Sequence, residues 1–171
     1  MDAQVSEVLN LVFRWVHVVA GVTWIGLLYF FNWINGHVAA SLDADTKKLV
    51  VPQLMPRTLY WFRWGAAYTW LSGILLLGIV YYMGGAMVTP NNPAHLSSGA
   101  ATGVGLGLLV VAWAVYDLLW KSPLGKNEMV AGSISFVLTV GVAYGLSTVM
   151  AGRAAYIHVG AMYGTLMAGN V

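Results

Sequence analysis

Apolar residues run along this chain in stretches of about 20 or more, and polar residues gather between them. A helix needs about 20 mostly apolar residues to cross a bilayer. The pattern predicts five such helices, over about 9–33, 58–83, 98–120, 129–150 and 153–171. Breakers fall between them. Asn35-Gly36 follows the first, Pro52 and Pro56 precede the second, Thr89-Pro90-Asn91-Asn92-Pro93 precedes the third, and Ser122-Pro123-Leu124-Gly125 precedes the fourth. Residues 38–51 alternate Val38, Leu42, Leu49 and Val50 with Asp43, Asp45, Lys47 and Lys48, which predicts a short amphipathic helix lying in the interface. The fold class is all-α: a single integral membrane domain, 1–171, forming a polytopic bundle of about five transmembrane helices. The first run is expected to remain as a span. It is long, lacks a basic leader and follows Asp2 and Glu7, unlike a cleaved signal peptide.

The basic residues orient the bundle. Lys47, Lys48 and Arg57 lie in the first loop, and Lys121 and Lys126 in the third, while the second loop, 84–97, carries no charge. Lysine and arginine favour the cytoplasmic side. The expected topology therefore places the N-terminus and second loop outside and the C-terminal end inside.

Composition narrows the class further. Hydrophobic residues make up 59% of the 171 positions and charged residues 8%. A soluble domain carries about 25% charged residues, so an ordinary water-exposed surface is excluded, as is disorder. The net charge of +2 offers no field for nucleic acid. The absence of cysteine excludes disulfides, thiolate metal sites, iron–sulfur clusters and a Cys-x-x-Cys-His haem attachment.

Ionisable residues inside spans mark candidate function. Arg14 and His17 lie in the first predicted helix, and His158 lies in the fifth with Arg153 at its mouth. At about 1.5 Å per residue, His17 is roughly 12 Å deep and His158 roughly 8–9 Å deep, both from the outer side. Two histidines at one level on separate helices suit the axial ligands of haem b. Ala20 and Gly21 follow His17 on its own face, and Ala161 follows His158, leaving room for a flat macrocycle. Arg14, one turn outward from His17, suits a haem propionate, with Arg153 a second cation. Two other readings stay open. One is a copper site helped by Met162; the other is a pair of histidines that only hydrogen-bond between helices. His37 and His95 are expected to be solvated loop residues. Arg63 and Asp117 are expected to pair near the inner surface. Gly99, Gly103 and Gly107, with Gly141 and Gly145, and Gly160 and Gly164, form small-xxx-small rows suited to helix packing or to a homo-oligomer seam.

Two stretches carry a family likeness. One is Arg14-Trp15-Val16-His17-Val18-Val19-Ala20-Gly21-Val22-Thr23-Trp24-Ile25-Gly26, continuing to Tyr29 and Asn32. The other is His158-Val159-Gly160-Ala161-Met162-Tyr163-Gly164-Thr165-Leu166-Met167-Ala168-Gly169-Asn170-Val171. With Leu59-Tyr60-Trp61-Phe62-Arg63-Trp64-Gly65-Ala66 between them, they resemble the N-terminal membrane domain of the bacterial membrane-bound urate oxidase (urate hydroxylase) family. Longer members carry about eight spans and a C-terminal cytochrome c domain. This chain resembles a short form lacking that domain. The resemblance implies residence in the bacterial inner membrane and a haem b redox role, passing electrons to an external cytochrome c or the quinone pool. Alternatives are a urate-type oxidase with an outer-face substrate site near Arg14, Arg153 and His95, and a cofactor-free accessory subunit of a larger membrane complex.

Overall fold

The computed structural model describes residues 2–170. Helix α1 spans Ala3–Tyr29, continues through a π-helical stretch, Phe30–Asn35, and runs on as α2, Gly36–Ser41. Helix α3, Ala44–Leu76, likewise passes into a π-helical stretch, Leu77–Tyr82. Helices α4 (Ser98–Lys121), α5 (Glu128–Val149) and α6 (Gly152–Ala168) complete the chain, with a 3-10 turn at Pro123–Lys126. The all-α class stands. Four helical runs are long and apolar enough to cross a membrane: Ala3–Ser41, Ala44–Tyr82, Ser98–Lys121 and Glu128–Val149.

The expected fifth helix is α6, whose 17 helical residues reach about 26 Å. The helix stops at Ala168, capped by Gly169, and Val171 lies outside the described residues.

The first loop also differs from expectation. Gly36 adopts right-handed helical angles (φ −61, ψ −45), so Asn35-Gly36 does not end the helix. The break comes at Leu42, which is extended. Asp43 then caps α3: its Oδ1 accepts from the Asp45 and Thr46 N–H groups, and its Oδ2 from the Thr46 hydroxyl at 2.6 Å. These bonds, the Thr46 hydroxyl foremost, hold the exposed Asp43 carboxyl below the ordinary aspartate range. With the cap this early, Pro52 and Pro56 fall inside α3 instead of before it, and no separate interfacial helix covers 38–51.

The chain forms two compact units, one running to Gly73 and the other spanning Ile74–Asn170. In the first, α1 and α3 pack antiparallel. His17 meets Thr69 and Ser72, the Trp24 backbone meets Gly65, and Phe31 meets Phe62 edge-on at 5.3 Å. A Cβ on Gly65 would lie 3.2 Å from the Trp24 nitrogen, so glycine sets this close approach. Trp24 is the buried residue of α1; Val12, Trp15, Val18, Val19 and Val22 are exposed, as suits lipid-facing positions.

In the second unit, α6 packs against α4 and α5. The core joins Leu77, Tyr81, Met87, Ala101, Leu146, Met150, Ala154 and Ala155. Gly85, at φ +71, turns the chain out of the π-helical stretch. The uncharged loop that follows is pinned to the α5–α6 turn: Leu96 N–H donates to Val149 and Ala151 N–H to the Met87 carbonyl, each at 3.0 Å. Ser97 and Asn127 cap α4 and α5 with their side chains.

The glycine rows make no close helix contact within the described residues. Cβ atoms at Gly99, Gly103, Gly107, Gly141, Gly145, Gly160 and Gly164 would meet nothing within 4 Å among the described residues. The packing face of α4 is instead Ala101, Gly105 and Leu109. That row is offset from Gly99, Gly103 and Gly107 by two residues, about 200° around the helix. Asp117 pairs with Lys121, one turn along α4, at 2.7 Å. Arg63 is exposed on α3.

Candidate functional site

Each predicted ligand sits in its own unit. His158 on α6 is fully buried. Its Nδ1 lies 2.7 Å from the Ala154 carbonyl, one turn back. A carbonyl can only accept, so Nδ1 carries the proton, and in the neutral ring Nε2 carries the lone pair. Nε2 accepts from the Tyr82 hydroxyl at 3.1 Å. Tyr81 meets the same ring edge-on, with centroids 6.3 Å apart. Both tyrosines lie on the π-helical stretch Leu77–Tyr82. Such a stretch widens the helix locally and is frequent at functional sites. Opposite, Gly105 of α4 brings bare backbone to the ring: a Cβ there would lie 2.6 Å from Nε2 and 2.7 Å from Cδ2.

His17 on α1 is half-buried. Its Nδ1 lies 2.9 Å from the Thr69 carbonyl and 3.2 Å from Ser72 Oγ. The hydroxyl of Ser72 donates to the Tyr68 carbonyl at 2.5 Å, which leaves its oxygen free to accept from His17. Again Nδ1 holds the proton and Nε2 the lone pair. Nε2 of His17 has no hydrogen-bond partner among the described residues. Gly73 accommodates the ring, since its Cβ would come within 3.1 Å of Cε1.

The other predicted residues fall as follows. Gly21 faces Thr69, the residue that anchors His17, at 3.8 Å for a built Cβ. Ala161 is partly buried against the second unit's core, and Met162 is buried beside it in sequence. Arg14 is exposed and donates from Nε to Asn10 Oδ1 at 2.6 Å, so its guanidinium is engaged along its own helix. Arg153 is exposed at the start of α6. His37 is exposed and bonds through Nδ1 to the Trp33 carbonyl. His95 is half-buried, not free in solvent: its Nδ1 accepts from Thr89 N–H at 3.0 Å and so closes the second loop.

Sequence reasoning did not single out Thr69, Ser72, Tyr82 or Gly105. The spacing of Ala101, Gly105 and Leu109, four residues apart, was the available signal for Gly105. Thr69 acts through its main-chain carbonyl, and no side-chain pattern announces that. One further buried group stands out. The indole N–H of Trp24, two turns beyond His17 on α1, has no acceptor among the described residues. A buried donor left unpaired costs about 1–3 kcal/mol.

An imidazole that binds iron through Nε2 keeps its other N–H on a carbonyl or carboxylate, which fixes tautomer and orientation. Both histidines have that arrangement. His17 meets the requirement directly. His158 does not offer its Nε2 in this arrangement, because the Tyr82 hydroxyl and the Gly105 backbone occupy the space there.

The family model described as urate oxidase N-terminal matches residues 3–49 and 42–171. No curated protein and no solved structure matches the chain. Since the match runs over nearly every residue, including both histidine helices, the chain belongs to the urate oxidase N-terminal family.

Proposed function

We propose that this chain is a membrane haem b redox subunit that passes electrons to an external cytochrome c or to the quinone pool. One observation carries the reading: His17 donates Nδ1–H to the Thr69 carbonyl and leaves its Nε2 lone pair without a partner among the described residues. Family membership supports a redox setting. Haem b, if bound, would supply one-electron transfer.

The chain's own residues do the rest. Thr69 and Ser72 fix the His17 ring, and Ala154 fixes the His158 ring. Burial of His158 shuts water away from its Nε2. The Tyr82 hydroxyl donates to that nitrogen. Arg14 and Arg153 are both exposed, and either would supply positive charge to a propionate.

The test is an absorption spectrum and iron determination on protein purified from haem-replete cells. A low-spin b-type spectrum with about one haem per chain is expected. A colourless, iron-free preparation overturns the reading. Reduction of the spectrum by added urate would assign substrate oxidation to the chain itself; reduction only by an external donor would leave it an electron carrier.

A further inference from the structure

The first unit holds a cleft of about 430 Å³ that neither histidine touches. Val22, Thr23, Gly26 and Leu27 of α1 form one wall; Arg57, Thr58 and Trp61 of α3 form the other. Gly26 lines open space, since a Cβ there would meet nothing within 4 Å. The wall is apolar apart from two hydroxyls and one cation. Both hydroxyls are spent inside their own helices, Thr23 on the Val19 carbonyl and Thr58 on the Leu54 carbonyl. Arg57 places Nη1 on the Gln53 carbonyl and side chain, one turn back. That holds the guanidinium in place and leaves its remaining N–H groups for a ligand.

A site with an apolar floor and a single fixed guanidinium suits an amphiphile whose head is an anion. A quinone head is neutral and would leave the charge unanswered. We propose that this cleft binds an anionic phospholipid, with an acyl chain along Val22, Gly26, Leu27 and Trp61 and the headgroup phosphate on Arg57. Charge complementarity commits the site to that occupant. The bidentate geometry of arginine suits phosphate oxygens.

The test counts lipids retained by the full purified chain in neutral detergent, by native mass spectrometry. Phosphatidylglycerol and phosphatidylcholine with identical acyl chains serve as probes. Wild type should retain phosphatidylglycerol about fivefold more than phosphatidylcholine. Arg57→Gln should abolish the preference while still taking up both lipids weakly. Gly26→Leu fills the groove from a position with open space, so the helix should fold normally while retention of both lipids falls. Excess inorganic phosphate, which lacks an acyl chain, should not displace the lipid. Equal retention of the two lipids by wild type, an unchanged preference in Arg57→Gln, displacement by phosphate, or a quinone retained in the lipid's place would each overturn the proposal.

Discussion

Replacing Gly105 with alanine tests the packing around His158. The new Cβ would lie 2.6 Å from Nε2, and ordinary contact begins at 3.4 Å, so about 0.8 Å must be found. The ring cannot simply rotate away. It is fully buried, tied at Nδ1 to Ala154 and at Nε2 to Tyr82. Overpacking of this kind costs about 1–3 kcal/mol. Loss of one of the two hydrogen bonds adds about 1 kcal/mol, and the better helix propensity of alanine returns about 1 kcal/mol. The net expectation is a loss of about 1–3 kcal/mol. Gly103→Ala is the matched control, on the same helix but with nothing within 4 Å of its Cβ. That variant should gain up to about 1 kcal/mol. Thermal unfolding in detergent, followed by circular dichroism, ranks the three proteins. Gly105→Ala should melt below wild type and Gly103→Ala at or above it. A Gly105→Ala protein as stable as the Gly103→Ala control would refute the contact.

Other predictions concern the loops and charges. The Asp43 carboxyl lies below its ordinary range, so its contribution to stability is complete near neutral pH and declines as pH falls through the native value. Asp43→Asn should keep the α3 cap but flatten the pH dependence of melting below about pH 5, and Asp43→Ala should lose helix at the start of α3; a wild-type pH profile in Asp43→Asn would contradict this. Asp117→Asn breaks a one-turn pair whose lysine is largely exposed, so the loss should stay below about 0.5 kcal/mol. A loss of several kcal/mol would mean that Asp117 answers a second, buried cation.

The long apolar runs were legible because hydrophobic length and period report helices directly, and α4 and α5 start and stop within a residue or two of the expected bounds. The first loop was not. A glycine after asparagine reads as a helix stop, yet Gly36 takes right-handed angles, and the true break depends on the Asp43 cap, three side-chain bonds that compete locally with the helix. The glycine rows did not reveal the packing face within the chain for a related reason. Spacing of four identifies a face but not which face meets a neighbour, and α4 turns Gly105 inward and Gly103 outward. His17 and His158 were legible as ionisable groups in apolar runs. Their anchors were not, since Thr69 and Ala154 act through carbonyls that every residue possesses, and Tyr82 reaches His158 from a helix distant in sequence.

The central claim is that His17 offers Nε2 to an iron. The most direct measurement compares optical and electron paramagnetic resonance spectra of the purified wild type and of His17→Ala. The wild type should show a low-spin b-type haem. The variant, with Thr69 and Ser72 left facing a methyl group, should lose that signature, either to a high-spin form or to loss of the haem. A low-spin spectrum unchanged by removal of His17 would contradict the assignment.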